Sequence, residues 1–129
     1  MEQIEDSSHV ILVVDDQADN RELLNIFLSR LGYGVIEASN GLEAVTLATS
    51  DCPDLIIMDL SMPVMDGFNA VQILREMPAT STVPVLACTA HDTQTHKVQA
   101  LKVGFNEVLT KPIDFNQLHY VLEQFLKAA

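Results

Sequence analysis

Val10-Ile11-Leu12-Val13-Val14-Asp15-Asp16 contains the first apolar run of the chain and decides the fold. Its apolar part, mostly β-branched, shows no alternation, which predicts a strand covered on both faces, because a half-exposed strand would alternate apolar and polar positions. Leu55-Ile56-Ile57-Met58 and Val83-Pro84-Val85-Leu86-Ala87-Cys88 read the same way. Such strands require helices above and below the sheet. Gly34-Val35-Ile36-Glu37-Ala38 and Glu107-Val108-Leu109-Thr110 are more polar and belong at or near the sheet edges.

The segments between these runs carry helical signals. Leu24, Phe27, Leu28 and Leu31 form a stripe stopped by Gly32. Asn40 followed by Glu43 makes a capping-box-like start for a second helix that ends before Pro53. A third runs from about Asp66 to Met77, before Pro78, and a fifth opens at Asp114 and carries Phe115, Leu118, Leu122 and Phe125. The fourth, from about Thr93 to Val103, is polar until Val98, Ala100 and Leu101, so it is expected to be the least firmly docked. Strand and helix thus alternate five times, predicting an α/β fold with an open parallel sheet and helices on both faces.

With 129 residues and 48% hydrophobic content, the chain has the size and composition of one folded domain. Residues 1–8 are polar and acidic and read as a flexible arm, leaving 9–129 as the domain. Seven Lys+Arg against 18 Asp+Glu give a net charge of -11, which argues against direct binding of nucleic acid or anionic membrane by this segment. No apolar run approaches the ~20 residues needed to span a bilayer, and the start lacks the pattern of a signal peptide; a cytoplasmic location is expected. Cys52 and Cys88 lack metal-type spacing and read as reduced thiols.

Polar residues then stand where the buried strands end: Asp15 and Asp16 after the first, Asp59 after the third, Thr89 after the fourth, Lys111 after the fifth. Each alone has a bland reading as a helix cap, a turn or a solvated charge. In an open α/β sheet, however, ligands bind beyond the carboxyl ends of the strands where strand order reverses. With the first and third strands as neighbours, three carboxylates meet there, and like charges about 4 Å apart repel by about 4 kcal/mol at an effective dielectric near 20. A cation must offset that repulsion. Hard carboxylate oxygens suit Mg2+, and a lysine ammonium suits phosphate, so the set has the makings of a phosphoryl-transfer site.

Over residues 9 to 127 the chain resembles the receiver domains of response regulators, the phosphoaccepting modules of two-component signalling. The resemblance lies in Val-Val-Asp15-Asp16, in Ile-Ile-Met-Asp59-Leu-Ser-Met-Pro63-Val-Met-Asp66-Gly67, in Thr89-Ala90 and in Lys111-Pro112, all in order. It implies the flavodoxin-like strand order 2-1-3-4-5. It further implies that Asp59 is the phosphoacceptor and that Asp16, Asp59 and the backbone carbonyl of Ser61 hold Mg2+, with Asp15 acting mainly through a coordinating water. Thr89 would bond the phosphoryl group and move with it, Lys111 would pair with its oxygens, and Pro112 would follow a cis peptide bond. The Met62-Pro63 loop and the Asp66-Gly67 turn would shape the metal site. The implied partners are a histidine kinase or histidine phosphotransfer protein as donor and a protein target as output.

Two departures from the family pattern matter. Val108 stands where an aromatic residue usually swings inward on phosphorylation. Ser61 and His91 occupy positions that in this family tune dephosphorylation, and Ala90 and Val108 lie on the expected switch route. A dehalogenase-like phosphatase would want a second carboxylate where Ser61 stands, and an FMN site would want a phosphate-cradling loop where Asp15 and Asp16 stand. An EF-hand loop would need Gly at Asn20. A receiver-like module that only binds protein would be marked by loss of a site residue, and none is lost.

Overall fold

Strand and helix alternate in the order β1 (Val10–Val14), α1 (Ala18–Arg30), β2 (Gly34–Ala38), α2 (Gly41–Asp51), β3 (Leu55–Asp59), α3 (Gly67–Glu76), β4 (Val85–Thr89), α4 (Gln94–Val103), β5 (Glu107–Thr110) and α5 (Phe115–Leu126). The computed structural model describes residues 9–60, 62, 65–90 and 94–126. The expected arm over 1–8, together with Ser61, Pro63 and His91, lies outside the described residues.

The sheet has five strands in the order β2-β1-β3-β4-β5, and every pairing is parallel. Leu12 of β1 is in register with Ile36 on one side and Ile56 on the other. β3 and β4 are buried along their whole length, whereas in β2, at one edge, only Ala38 is fully buried.

Side chains of each central strand alternate between two apolar clusters, which explains the unbroken hydrophobic runs. Ile11, Val13, Ile57 and Leu86 pack with Leu24 and Leu28 of α1 and with Leu118 and Leu122 of α5. Leu12, Val14, Ile56 and Met58 face the other way, towards Ala44 and Ala48 of α2, Val71 and Leu74 of α3, and Ala100 of α4. Both faces of the sheet are therefore covered.

The helix ends follow their local chemistry. Asp66 Oδ1 accepts from Asn69 N at 2.9 Å, and Asp114 Oδ1 accepts from the N–H groups of Asn116 and Gln117. Asn40 Oδ1 accepts from Glu43 N at 2.8 Å as the capping box predicts, but the returning Glu43 carboxylate bonds Ser39 N at 2.6 Å rather than Asn40 N. That backbone hydrogen bond, with a second from the Ser39 hydroxyl, holds the Glu43 carboxyl below its usual range. In α5 the buried stripe is Leu118, Val121, Leu122 and Leu126, while Phe125 stays 36% exposed.

α4 buries only Ala100 among its residues, so its apolar stripe is thinner still than the sequence suggests. Its C-terminal end is nevertheless tied down by Arg75 of α3. Arg75 Nε donates to Gly104 O at 3.0 Å, Nη1 donates to Val83 O at 2.8 Å, and Nη2 donates to Asn106 Oδ1 at 2.8 Å. Gly104 has φ +130°, and a Cβ there would lie 2.9 Å from Arg75 Cγ, so the position requires glycine for its backbone and for the approach of the arginine.

Candidate functional site

The chain runs from β1 outward to β2 on one side and from the adjacent β3 outward to β4 on the other, which opens a crevice between β1 and β3 at the carboxyl ends of the strands. Asp15 directly follows β1, Asp59 ends β3, Thr89 ends β4 and Lys111 directly follows β5. The parallel register places Asp59 beside Cys88 and Thr89 beside Thr110, which carries the third, fourth and fifth strand ends to one level. The Lys111 N–H donates to Thr89 O at 2.8 Å and extends that pairing by one residue.

Lys111 Nζ lies 3.3 Å from Asp15 Oδ2 and 3.2 Å from Asp59 Oδ2. Asp15, Asp16 and Asp59 each offer a carboxylate oxygen, and these atoms lie within 4.8 Å of one another. Asp15 is 4% exposed and Asp59 7%, while Asp16 faces solvent. Burial pushes the Lys111 ammonium down, but the Asp59 and Asp15 charges and their hydrogen bonds outweigh it, so its pKa is raised and it stays protonated at neutral pH. One ammonium against three carboxylates leaves the site short of positive charge. The clustered oxygens are hard donors of the kind Mg2+ takes, so the residues present fit that ion.

Asp15 is held at every polar atom. Its Oδ1 accepts from Gln17 N at 2.9 Å in a local turn ahead of α1, whose N-cap is Gln17 and not Asp15 or Asp16, and Oδ2 accepts from Asn20 Nδ2 at 3.3 Å as well as from Lys111. Its N–H donates to Ala38 O at 3.1 Å and its carbonyl accepts from Arg21 Nη1 at 2.7 Å. The loop after β3 is drawn close by two glycines. Gly67 N donates to Leu60 O and Gly41 N donates to Met65 O, each at 3.1 Å, and a side chain at either glycine would collide with the facing backbone.

A cleft of about 420 Å³ leads from the acidic site along α1 to the start of α5, lined by Asp15, Asn20, Leu23, Asp59, Lys111 and Phe115 among others. Cys88 lies buried beside it, and burial pushes its thiol up to about 12, so it offers no thiolate at neutral pH. The Lys111-Pro112 peptide is cis, as the resemblance implies. Val108 is 9% exposed and packed in the cluster beneath α4, and Ala90 is exposed just past β4. Among the described residues the structure thus assembles Asp15, Asp16, Asp59 and Lys111, with Thr89 ending the adjacent strand; the Ser61 carbonyl and His91 lie outside them. Sequence reasoning missed Asn20, Arg21 and the contact of Gly67 with the Asp59 backbone.

The family model for the response regulator receiver domain matches residues 11–123. The chain belongs to that family. The receiver domain is 38% identical over 104 residues to protein PilH of Pseudomonas aeruginosa, covering 81% of this chain and 86% of PilH. It is 42% identical over 104 residues to the response regulator PleD of Caulobacter vibrioides, again over 81% of this chain but only 23% of PleD's length. Among solved structures, the receiver domain of the sensor histidine kinase PA1611 from P. aeruginosa, which has a magnesium ion coordinated in its active site cleft, matches with TM-score 0.86 at 32% identity, covering 93% of this chain and 98% of that one. The five-stranded order and the acidic pocket are those of a two-component receiver domain.

Proposed function

We propose that Asp59 accepts a phosphoryl group from a phosphorylated histidine kinase or histidine phosphotransfer protein in a Mg2+-dependent reaction, and that the modified domain changes its binding of a protein target. The observation that carries this reading is the Lys111 ammonium held at 3.2 Å from Asp59 and 3.3 Å from Asp15 in a crevice with three convergent carboxylates. Phosphoryl transfer depends chiefly on positioning and charge neutralisation, and this site is built for both.

Asp16, Asp59 and the Ser61 carbonyl would hold the metal, with Asp15 acting through a water. Bound Mg2+ supplies the charge that neutralises the entering phosphoryl oxygens. An Asp59 carboxylate oxygen attacks phosphorus as the bond from phosphorus to the donor's imidazole nitrogen breaks, and the imidazole leaves with the electron pair. Lys111 exchanges part of its contact with the carboxylates for a phosphoryl oxygen, and Thr89 donates its hydroxyl to another. Ser61 and His91 would set how readily water reaches the acyl phosphate. The domain catalyses only its own phosphorylation and dephosphorylation, and spans 9–129. The domain is placed in the cytoplasm, and the absence of direct nucleic-acid or membrane-surface binding by this segment fits the net charge of -11; no helix among the described residues is long and apolar enough to cross a membrane.

Incubation with a small-molecule phosphodonor and Mg2+ should add one phosphoryl group per chain, labile in acid and in base. Chelation of Mg2+ or Asp59→Asn should abolish it, and Asp16→Asn should raise the Mg2+ concentration required. Undiminished labelling of Asp59→Asn would overturn the assignment.

A further inference from the structure

Asp15 and Asp16 are chain neighbours with different tasks, and the peptide joining them determines where the second one points. A planar peptide whose carbonyl is fixed also fixes the direction in which the next Cα leaves it. The carbonyl in question, Asp15 O, accepts from Arg21 Nη1 at 2.7 Å. Arg21 Nε donates at the same time to Glu37 Oε1 at 3.1 Å, the other Glu37 oxygen accepts from Asn25 Nδ2 at 2.8 Å, and Asn25 Oδ1 accepts from Ser29 Oγ at 2.9 Å. The guanidinium therefore braces the end of β1 against β2, and Glu37 is braced in turn from α1.

We propose that Arg21, oriented by Glu37, is a positioning residue for the metal site: it sets the plane of the Asp15–Asp16 peptide and through it the placement of the Asp16 carboxylate. This rests on the reading of Asp15, Asp16 and Asp59 as the Mg2+ site. The buried Asp15 needs little help from elsewhere, since Gln17, Asn20 and Lys111 hold its carboxylate. Asp16 is exposed, so the direction of its backbone matters most for where its oxygens stand. Arginine suits the task because its rigid fork engages two acceptors at a fixed angle, which a lysine ammonium on a flexible stem does not reproduce.

The sign of the effect separates positioning from charge. Arg21 is a cation beside a cation site, so if it acted through charge alone, neutralising it would tighten Mg2+ binding and Arg21→Lys would behave as wild type. Positioning requires that both Arg21→Gln and Arg21→Lys weaken binding, by about 10-fold or more, as loss of groups that orient metal ligands commonly does.

Mg2+ titration of the full chain by calorimetry, below the onset of unfolding, decides between them. Amide NMR shifts of Asp16 and Gln17 without metal give a second readout. Weaker binding in both Arg21 variants, with Asp16 and Gln17 shifted, is expected; Glu37→Gln, which keeps an acceptor for Nε, should fall closer to wild type than Glu37→Ala. Equal or tighter binding in Arg21→Gln, or wild-type binding in Arg21→Lys, would overturn the proposal while leaving the metal site standing. Should an Arg21 variant fail to fold, the Glu37 pair decides, and equal affinity of both Glu37 variants with wild type would overturn it. A wild-type chain that bound no Mg2+ would overturn the metal site and this proposal together.

Discussion

A methyl group added at Gly67 would lie 2.7 Å from the Asp59 carbonyl oxygen and 3.0 Å from Leu60 Cα. Both facing atoms are backbone, so the chain carrying Asp59 would have to move. Gly67→Ala should destabilise the fold by about 1 to 3 kcal/mol, the usual cost of overpacking, and should also slow phosphorylation of Asp59. Urea unfolding together with the labelling rate checks this; an unchanged unfolding midpoint would show that the loop yields without cost. At this scale the acids and the lysine are legible in the sequence because each interrupts or ends an apolar run, where a polar side chain needs a reason. Arg21 and Asn20 are not. They lie on a polar helix turn whose composition matches any solvated surface, and only the approach of α1 to the end of β1 gives them partners.

Helix α4 is the element whose packing differs most from that of its neighbours, with Val98 43% and Leu101 49% exposed. Arg75 ties the turn after α4 at Gly104 and Asn106, whereas the chain before α4 continues from the end of β4 at Thr89. A helix tied by Arg75 at its C-terminal end and thinly packed along its length is suited to pivot there. On the proposed phosphoryl switch, Val108, a β-branched residue with few rotamers and no ring to swing, would leave backbone movement as the route for the signal. With a phosphoryl mimic bound, amide shifts and hydrogen exchange should change most at Ala90 and in the first turns of α4, and least at 104–106. Changes confined to the acidic site and α1, with α4 unmoved, would contradict this and favour a partner that reads the phosphorylated pocket itself. The thinness of α4 is legible in its sequence; the Arg75 anchor is not, because its acceptors are backbone carbonyls and an asparagine brought together by the turns after α3 and α4. The capping box of α2 was legible as a start signal, but its return bond goes to Ser39, one residue earlier than the pattern implies.

Across the molecule, two clusters on opposite faces of one sheet account for the unalternated strands, and the parallel order places every strand end at the same rim. That much follows from hydrophobic patterning, because strands buried on both faces leave few ways to arrange alternating helices. Strand order itself does not follow from patterning; family resemblance supplies it, and the order brings Asp15 and Asp59 together. The central claim, that this rim carries one acyl phosphate on one carboxylate, has a direct chemical test. Borohydride reduces an aspartyl phosphate to homoserine, so treatment of the phosphorylated chain followed by peptide mass spectrometry identifies the residue that carried it. The account predicts homoserine at position 59 alone; homoserine at 15 or 16, or none in a chain that has taken up phosphate, would contradict it.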